Sequence, residues 1–317
     1  MKKKLIIIFS ALVVVLIAGL IFAGNYFYNQ GIKRGTDIEL HSESAAVNAL
    51  ASEKDTSMLD EAKAWYDKQE KKTIGMESFD GLKLQAKLIE NPAKEHKLVI
   101  LAHGFRKNGD DMGKYAKMYH DMGFDILLPD ARGHGKSEGD YIGYGWHDRL
   151  DYKDWIAKMV DAYGEKQIIL HGNSMGAATV LMTSGEKLPG QVKGIIADSA
   201  YSGVKAELAH QLKYIYHLPS FPLLDVTSVI TKVRAGFTFG EASAIEQVKK
   251  NKLPLLIIHG DADDLVPTRM GHELYEAAGG DKDLWIVPDA GHTKAFDNVT
   301  VAYAEKIKEF VQKALAE

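Results

Sequence analysis

One short stretch, residues 168–176, constrains this chain more than any other. Three apolar residues and a histidine lead into Gly-Asn-Ser-Met-Gly, in which glycines stand two positions before and two positions after Ser174. A serine held on a sharp turn between a strand and a helix needs a strained backbone and neighbours without side chains, and glycine provides that room. Because residues 177–187 can form a helix, we predict a strand–turn–helix that exposes Ser174. The alternative is an ordinary glycine-bounded turn.

Bulk properties exclude several classes of function. The chain has 317 residues, enough for one large α/β domain with additions. Its net charge of −4, with basic residues scattered among acidic ones, gives no reason to expect a nucleic-acid partner. The absence of cysteine removes thiol nucleophiles, disulfides and Cys-based metal sites. No phosphate-binding loop, dinucleotide fingerprint or zinc motif is present, so we expect neither a cofactor nor a metal. Asp130 and His134 suggest a metal pair, but their glycine-rich turn is more simply a structural loop.

The N-terminus carries a membrane signal. Lysines at positions 2–4 precede an uncharged apolar run, residues 5–24. At about 1.5 Å per residue this run spans roughly 30 Å, the thickness of a bilayer core. The aromatic residues 26–28 follow it, as an interfacial belt does. We therefore predict that residues 1–30 form a membrane anchor, which contacts the lipid bilayer through residues 5–24; a cleaved signal peptide is the alternative.

The charge on either side of this run predicts its orientation. The lysines at positions 2–4 outweigh Lys33 and Arg34 on the far side. The positive-inside rule then leaves the N-terminus in the cytoplasm and the rest of a single-pass protein outside the cell membrane. If the segment is cleaved instead, the protein is secreted.

The remaining chain divides into a connection and a domain. We assign residues 31–72 to a linker whose second half is an amphipathic helix, docked through Trp65. The main domain then covers residues 73–317. Within it, more than fifty residues rich in aromatic side chains separate two predicted strands, which is too long for a simple loop. We read this interval as a small helical cap, about residues 204–249.

Short apolar runs alternate with helical segments through the main domain. This pattern predicts an α/β fold with a mostly parallel central sheet and helices on both faces. Polar motifs follow the apolar runs directly. Since functional sites of such sheets gather at the carboxyl ends of the strands, we expect these motifs to meet at one rim.

The chemistry that Ser174 needs is available at the same rim. A serine hydroxyl is a weak nucleophile until a base removes its proton, and the usual base is a histidine oriented by a carboxylate. His292 follows the last predicted strand, whereas the other histidines lie in polar, helical or glycine-turn contexts away from the late strand ends or are suited to binding backbone carbonyls. Four carboxylates compete to be the partner of His292, and position alone does not separate them: Asp198, Asp261, Asp263 and Asp264.

A tetrahedral intermediate also needs hydrogen-bond donors aimed at its oxygen. The backbone amide of Met175 follows the nucleophile at a helix start and is one candidate. The loop after the strand at residues 97–102 points to the amide of Phe105 as the second. The alternative for this loop is a tight structural turn.

Five motifs together resemble the α/β-hydrolase superfamily, over residues 73–315. They are HGF at 103–105, DARGHGKSEG at 130–139, GNSMG at 172–176, HGDADDLVP at 259–267 and AGH at 290–292. The chain is most similar to the membrane-anchored cell-surface hydrolases of Gram-positive bacteria, a group placed near the serine aminopeptidase S33 or Bem46-like hydrolases.

The resemblance implies an α/β-hydrolase fold and hydrolysis through an acyl-enzyme. It also selects Asp263, the aspartate of the family's H-G-x-x-D-x-x-V-P motif, as the acid of a Ser-His-Asp triad. We expect a serine hydrolase of the carboxylesterase or lipase-like kind that acts on a small acyl ester. An amide or peptide hydrolase is the second reading; it needs an acidic anchor, for which the cap offers Glu207, Asp225 and Glu241. A non-catalytic surface-binding domain is the third.

Overall fold

An eight-stranded sheet organises the fold of the computed structural model, which describes residues 2–35 and 52–316. Across the sheet the strand order is β1-β2-β4-β3-β5-β6-β7-β8; β2 pairs antiparallel with β1 and β4, and the other pairs are parallel. The predicted mostly parallel sheet is therefore confirmed. The strands are β1 Lys72–Glu77, β2 Lys83–Ile89, β3 Lys97–Ala102, β4 Phe124–Pro129, β5 Gln167–Asn173, β6 Val192–Asp198, β7 Leu255–Gly260 and β8 Lys282–Val287.

Helices connect most of the strands and cover both faces. A short 3₁₀ turn at Gly109–Met112 directly precedes one of them, and Val299 separates the last two. The helices are α1 Lys2–Gly31, α2 Glu53–Lys68, α3 Gly113–His120, α4 Asp148–Tyr163, α5 Met175–Ser184, α6 Val204–Tyr216, α7 Leu223–Ala235, α8 Ala244–Val248, α9 Thr268–Ala277, α10 Ala295–Asn298 and α11 Thr300–Ala316.

The central strand β3 shows why the sheet needs cover on both sides. Successive side chains of a strand point to opposite faces. Leu98 and Ile100 join the apolar layer that contains residues of α4 and α5. Val99 and Leu101 join the opposite layer, which contains residues of α2, α3 and α11. All four are fully buried, so the strand reads as a continuous apolar run.

Helix α1 is longer than the apolar run that predicted it. Its apolar window is wholly unburied, so α1 is a candidate transmembrane span rather than a core helix. The helix does not end with that window. It continues to Gly31, and its last turns pack on the domain, where Gly24 and Tyr28 are buried. The last turns of the predicted anchor are therefore a docked part of α1, and Gly31, the first residue of the predicted linker, still belongs to this helix.

Helix α2 packs against α3, and the Tyr66 ring lies at this contact. A Cβ on Gly113 would lie 2.4 Å from the Tyr66 ring, so only glycine admits this ring. Trp65, through which this helix was predicted to dock, is half-buried beside His120 and packs on the same apolar layer. Residues 36–51 of the predicted linker lie outside the described residues, and the assignment of 31–72 as a linker stays a prediction.

The long interval between β6 and β7 contains three helices, as the cap prediction required. Helix α8 packs on α5 and α9 of the main domain. Helix α7 packs along α1, and residues of α6 line the cleft at the carboxyl ends of the strands. The part of the interval that covers this rim is thus α6, and α7 lies between α6 and α1.

Candidate active site

The turn after β5 holds Ser174 in a strained conformation, with φ 54° and ψ −116°. Positive φ is uncommon for a residue with a side chain and persists where the surroundings enforce it. Here the Ser174 amide donates to the Asp198 carbonyl at 2.8 Å. A Cβ on Gly172 would lie 2.2 Å from the Gly176 oxygen, and one on Gly176 would lie 2.0 Å from the Ala102 oxygen. Both motif glycines are therefore required by close backbone approach.

The structure brings Ser174, His292 and Asp263 into one hydrogen-bonded chain. His292 Nε2 lies 2.8 Å from Ser174 Oγ, across 118 positions of sequence. His292 Nδ1 lies 2.8 Å from Asp263 Oδ2. The serine ends in the cleft, and Asp263 is 5% exposed behind the imidazole. This arrangement can pass the serine proton to the histidine while the carboxylate holds the ring.

The geometry also separates the four competing carboxylates. Asp263 is the one of them bonded to His292. Asp261 and Asp264 are exposed, and Asp261 accepts from a backbone amide of the neighbouring turn. Asp198 is buried beneath the site and accepts from the Ser199 and Tyr303 hydroxyls. Asp263, which the family motif favoured, is therefore the only one of the four carboxylates placed to orient the His292 imidazole.

A second histidine, His259, also contacts the acid. Its Nε2 lies 2.8 Å from the Val266 carbonyl and 3.3 Å from Asp263 Oδ2. Burial alone would raise the pKa of Asp263, but His292 and His259 together lower it to about 2. The carboxylate is thus charged at neutral pH. From the sequence, His259 was interpreted as a turn residue. Its place at the start of the same H-G-x-x-D motif as Asp263 could have indicated that it lies near the acid.

The loop that carries Phe105 lies directly against the serine. A Cβ on Gly104 would come within 3.5 Å of Ser174 Cβ. Met175 begins α5, so its amide has no acceptor within the helix. Phe105 and Met175 both line the cleft that contains Ser174. Their positions suit a pair of oxyanion donors, and that role stays a prediction.

Two buried histidines brace this loop. The Ala131 amide donates to His103 Nε2 at 2.9 Å, and the other ring nitrogen of His103 donates to the Gly104 carbonyl at 2.8 Å. The Arg106 amide donates to His134 Nε2 at 3.1 Å. Burial lowers the pKa of His103 to about 4 and that of His134 to about 3, so both rings are neutral. They position the loop, a role that their glycine-turn contexts only partly indicated.

The glycine-rich loop after β4 is stabilised by its own charged residues. Asp130 accepts from the amides of Gly109 and Lys136, each at 2.8 Å. Arg132 is 1% exposed and makes two hydrogen bonds of 2.7 Å to Asp151. Such paired, buried charges fix a loop in place. Within 2–35 and 52–316, no group of three or more His, Asp or Glu residues is arranged to hold a metal ion.

The cleft above Ser174 has a volume of about 670 Å³ and is roofed by α6. This volume is typical of small-molecule sites. Of the three acidic residues considered as amine anchors, Glu207 lines it, while Asp225 and Glu241 form exposed ion pairs with lysines. Glu207 accepts from Gln211, and burial raises its pKa to about 8. At neutral pH it is therefore mainly uncharged.

Comparison with known proteins now decides the family. The sequence pattern of the serine aminopeptidase S33 family matches residues 93–235 and 222–298, which include Phe105, Ser174, Asp263 and His292. The chain belongs to this family. Among curated relatives of this S33 family hydrolase, the uncharacterized protein YqkD of Bacillus subtilis is 27% identical over 98% of the chain and 97% of its own length. Lysophosphatidylserine lipase ABHD12 of Macaca fascicularis is 28% identical over 59% of the chain, a match that covers 46% of the lipase.

Solved structures agree on the fold. The esterase Pf2001 of Pyrococcus furiosus superimposes with a TM-score of 0.64 at 26% identity, over 77% of this chain and 93% of the esterase. The acylaminoacyl peptidase of Pyrococcus horikoshii, at 16% identity and a TM-score of 0.61, supports the fold alone. The predicted α/β-hydrolase fold is confirmed, and the chain is a serine hydrolase.

Proposed function

We propose that this protein is a membrane-anchored esterase that cleaves acyl esters through Ser174, His292 and Asp263. The observation that carries the proposal is the hydrogen-bonded chain from Ser174 Oγ through His292 to Asp263, with both links at 2.8 Å. The strained turn that presents Ser174 to the cleft is the second support.

The geometry suggests the following steps. Ser174 Oγ attacks the ester carbonyl carbon while its proton passes to His292 Nε2, and the charge on the imidazolium is balanced by Asp263. The negative oxygen of the tetrahedral intermediate accepts from the amides of Phe105 and Met175. The intermediate expels the alcohol, which takes the proton from His292. Water then gives a proton to His292 and attacks the acyl-enzyme. The second tetrahedral intermediate then collapses and releases the acid, and His292 returns the proton to Ser174 Oγ.

Ester cleavage is favoured over cleavage of amides with a free amino terminus. Recognition of an ammonium group calls for a charged acid in the cleft that is not already paired. Of the three acids that line the cleft, Glu207 is largely neutral at pH 7, Asp111 pairs with Lys107, and Asp297 pairs with Lys114. The esterase Pf2001 and the lipase ABHD12 point the same way. A panel of p-nitrophenyl acyl esters against aminoacyl p-nitroanilides tests this choice, and faster turnover of the anilides would reverse it.

Replacing the serine tests the chemistry. Ser174→Ala should lower kcat/KM for p-nitrophenyl butyrate by about 10⁴-fold or more, because the acyl-enzyme has no attacking oxygen. Ser184→Ala, at the other end of α5, is the matched control and should stay within about two-fold. Activity retained by Ser174→Ala would mean that the hydrolysis uses another residue. Absence of activity in both the wild-type protein and Ser184→Ala would favour a binding domain.

We also propose that residues 1–30 are a retained anchor, with residues 73–317 as the hydrolase domain outside the cell. The support is an unburied apolar window followed, without a break in the helix, by turns that dock on the domain. Protease added to intact cells should then digest the domain. A domain that survives until the cells are opened would contradict this orientation.

A further inference from the structure

A second cavity, of about 100 Å³, lies where the last turns of α1 meet the cap, and we call it the anchor cavity. It is almost wholly apolar. Helix α1 contributes Phe27 and Gly31, α6 contributes Leu212, and α7 contributes Leu224 and Thr227. An apolar enclosure of this kind suits a hydrocarbon and offers little to a polar group.

The anchor cavity adjoins the catalytic cleft. The two share the side chains of Phe105, Tyr144, Leu208 and Gln211 as walls. The rings of Phe105 and Tyr144 lie 5.3 Å apart at 31° and form part of this common wall. Since the Phe105 amide is the proposed oxyanion donor, an ester carbonyl held there would have its acyl chain beside the wall that the cleft shares with the anchor cavity.

Helix α1 is fixed in place as a wall of this cavity. A Cβ on Gly24 would lie 2.8 Å from Val226 of α7, so the two helices touch through glycine. The Phe27 ring packs edge-on against Tyr216 of α6 at 5.1 Å. The Tyr144 hydroxyl donates to the Gly31 carbonyl at 2.9 Å. These contacts make the membrane helix a component of the site rather than a flexible tether.

The same contacts place the cap at the level of the bilayer surface. Gly24 lies against Val226, and Tyr28 lies under the Arg234 guanidinium, so α1 and α7 run in the same direction. The turn before α7 therefore points back along α1 toward its apolar end. The side chain of Phe221 in this turn is 76% exposed, and that of Phe22 on α1 is 77% exposed. Exposed apolar side chains beside a membrane helix are typical of an interfacial surface.

We propose that the anchor cavity holds the acyl chain of a lipid ester that enters from the bilayer in which α1 is embedded. This proposal rests on the proposed esterase function and assigns its substrate class. The bilayer is the source of the ligand because the cavity is walled by the helix that spans it and lies under the turn that faces it. The reaction is the acyl transfer to Ser174 and water already described, with an acyl group whose hydrocarbon lies partly in the anchor cavity.

Filling the cavity from the anchor side tests the assignment. A Cβ on Gly31 would have only an ordinary contact, 3.7 Å to the Tyr144 hydroxyl, so a side chain can be attached here, and that of Gly31→Leu would occupy cavity volume. In the full-length protein reconstituted in phosphatidylcholine vesicles, this variant should lower the decanoate/acetate ratio of kcat/KM by about ten-fold or more. Gly19→Leu, on the same helix with nothing within 4 Å, should leave the ratio unchanged.

A second variant guards against a folding defect in the first. Thr227→Leu fills the same cavity from α7 and should shift the ratio in the same direction. An unchanged ratio in either active variant, or an equal shift in Gly19→Leu, would overturn the proposal. These outcomes differ from failure of the esterase function itself, in which the wild-type protein hydrolyses neither ester.

Entry from the bilayer has its own test. Phe221→Asp adds a charge to the exposed turn and should lower turnover of umbelliferyl palmitate, held in the enzyme's own vesicles, by about five-fold relative to turnover of p-nitrophenyl acetate in water. Equal effects on the two substrates would show that the turn takes no part in collecting the ester and would overturn the route from the bilayer.

Discussion

The turn around Ser174 and the contact between the cap and α1 are held by different kinds of contact. Beneath Ser174 the packing is tight: the Gly172 and Gly176 positions have no room for a Cβ, and Asp263 is buried. Along the cap, apolar side chains are exposed, with Val233 at 82%. The first region is specified by close backbone approach and hydrogen bonds, which demand particular residues. The second is specified by apolar contacts between side chains, including the approach of Gly24 to the Val226 side chain, and exposed apolar surface of this kind is typical of interaction sites.

The claim that the region around Ser174 demands particular residues fails most clearly if a neighbouring carboxylate can replace Asp263. We expect Asp263→Asn to lower kcat by about 10³- to 10⁴-fold, because the imidazole loses its partner and its charge compensation. The adjacent, exposed Asp264→Asn is the matched control and should change kcat by less than about two-fold. Steady-state kinetics on one soluble ester measures both. Similar losses in the two variants would show that the loop's overall charge, and not the contact with His292, matters.

Glu207 lies where the two regions meet, and its burial predicts a pH effect on stability. Its pKa is raised from an ordinary 4.5 to about 8, so between these values the folded protein holds a proton that the unfolded chain has lost. Stability conferred by this group's neutral form is therefore lost as pH rises through that window, by up to about 1.4 kcal/mol per pH unit.

Glu207→Gln keeps the hydrogen bond to Gln211 and removes the titration. Its melting temperature should exceed that of the wild-type protein at about pH 7.5 and match it near pH 4.5. The exposed Glu246→Gln provides the control and should show no such divergence. Melting curves of Glu207→Gln and wild type that stay parallel across this range would mean that Glu207 is not held neutral.

The smallest expected effect concerns the packing of α1 on the cap. Gly24→Leu should destabilise the full-length protein by about 1–3 kcal/mol, because its Cβ meets Val226 at 2.8 Å. Gly19→Leu, which meets nothing within 4 Å, should melt like the wild-type protein in the same detergent. If the two variants melt alike, α1 is not packed on α7 as described, and the account of the contact between the cap and α1 is wrong.

The sequence predicted the sheet and the rim well because both follow from local patterns. Apolar runs such as that of β3 must be buried on two sides, and a sharp strand-to-helix turn at Ser174 requires glycine on either side. The choice among Asp261, Asp263 and Asp264 needed the family motif, since a difference of one or two positions in a loop changes which way a side chain points. The docking of α1 was beyond local reasoning, because the contact of Gly24 with Val226 depends on how distant segments pack. The bracing role of His103 and His134 depends in the same way on a loop-to-loop approach.

The central claim is that Ser174 is the activated nucleophile, and active-site labelling tests it most directly. A fluorophosphonate probe, followed by mass spectrometry of tryptic peptides, should place one adduct on the peptide of residues 167–187 in the wild-type protein. Ser174→Ala should show no adduct, and Asp263→Asn should react far more slowly than Asp264→Asn. An adduct on another peptide, or equal labelling of wild type and Ser174→Ala, would contradict the account.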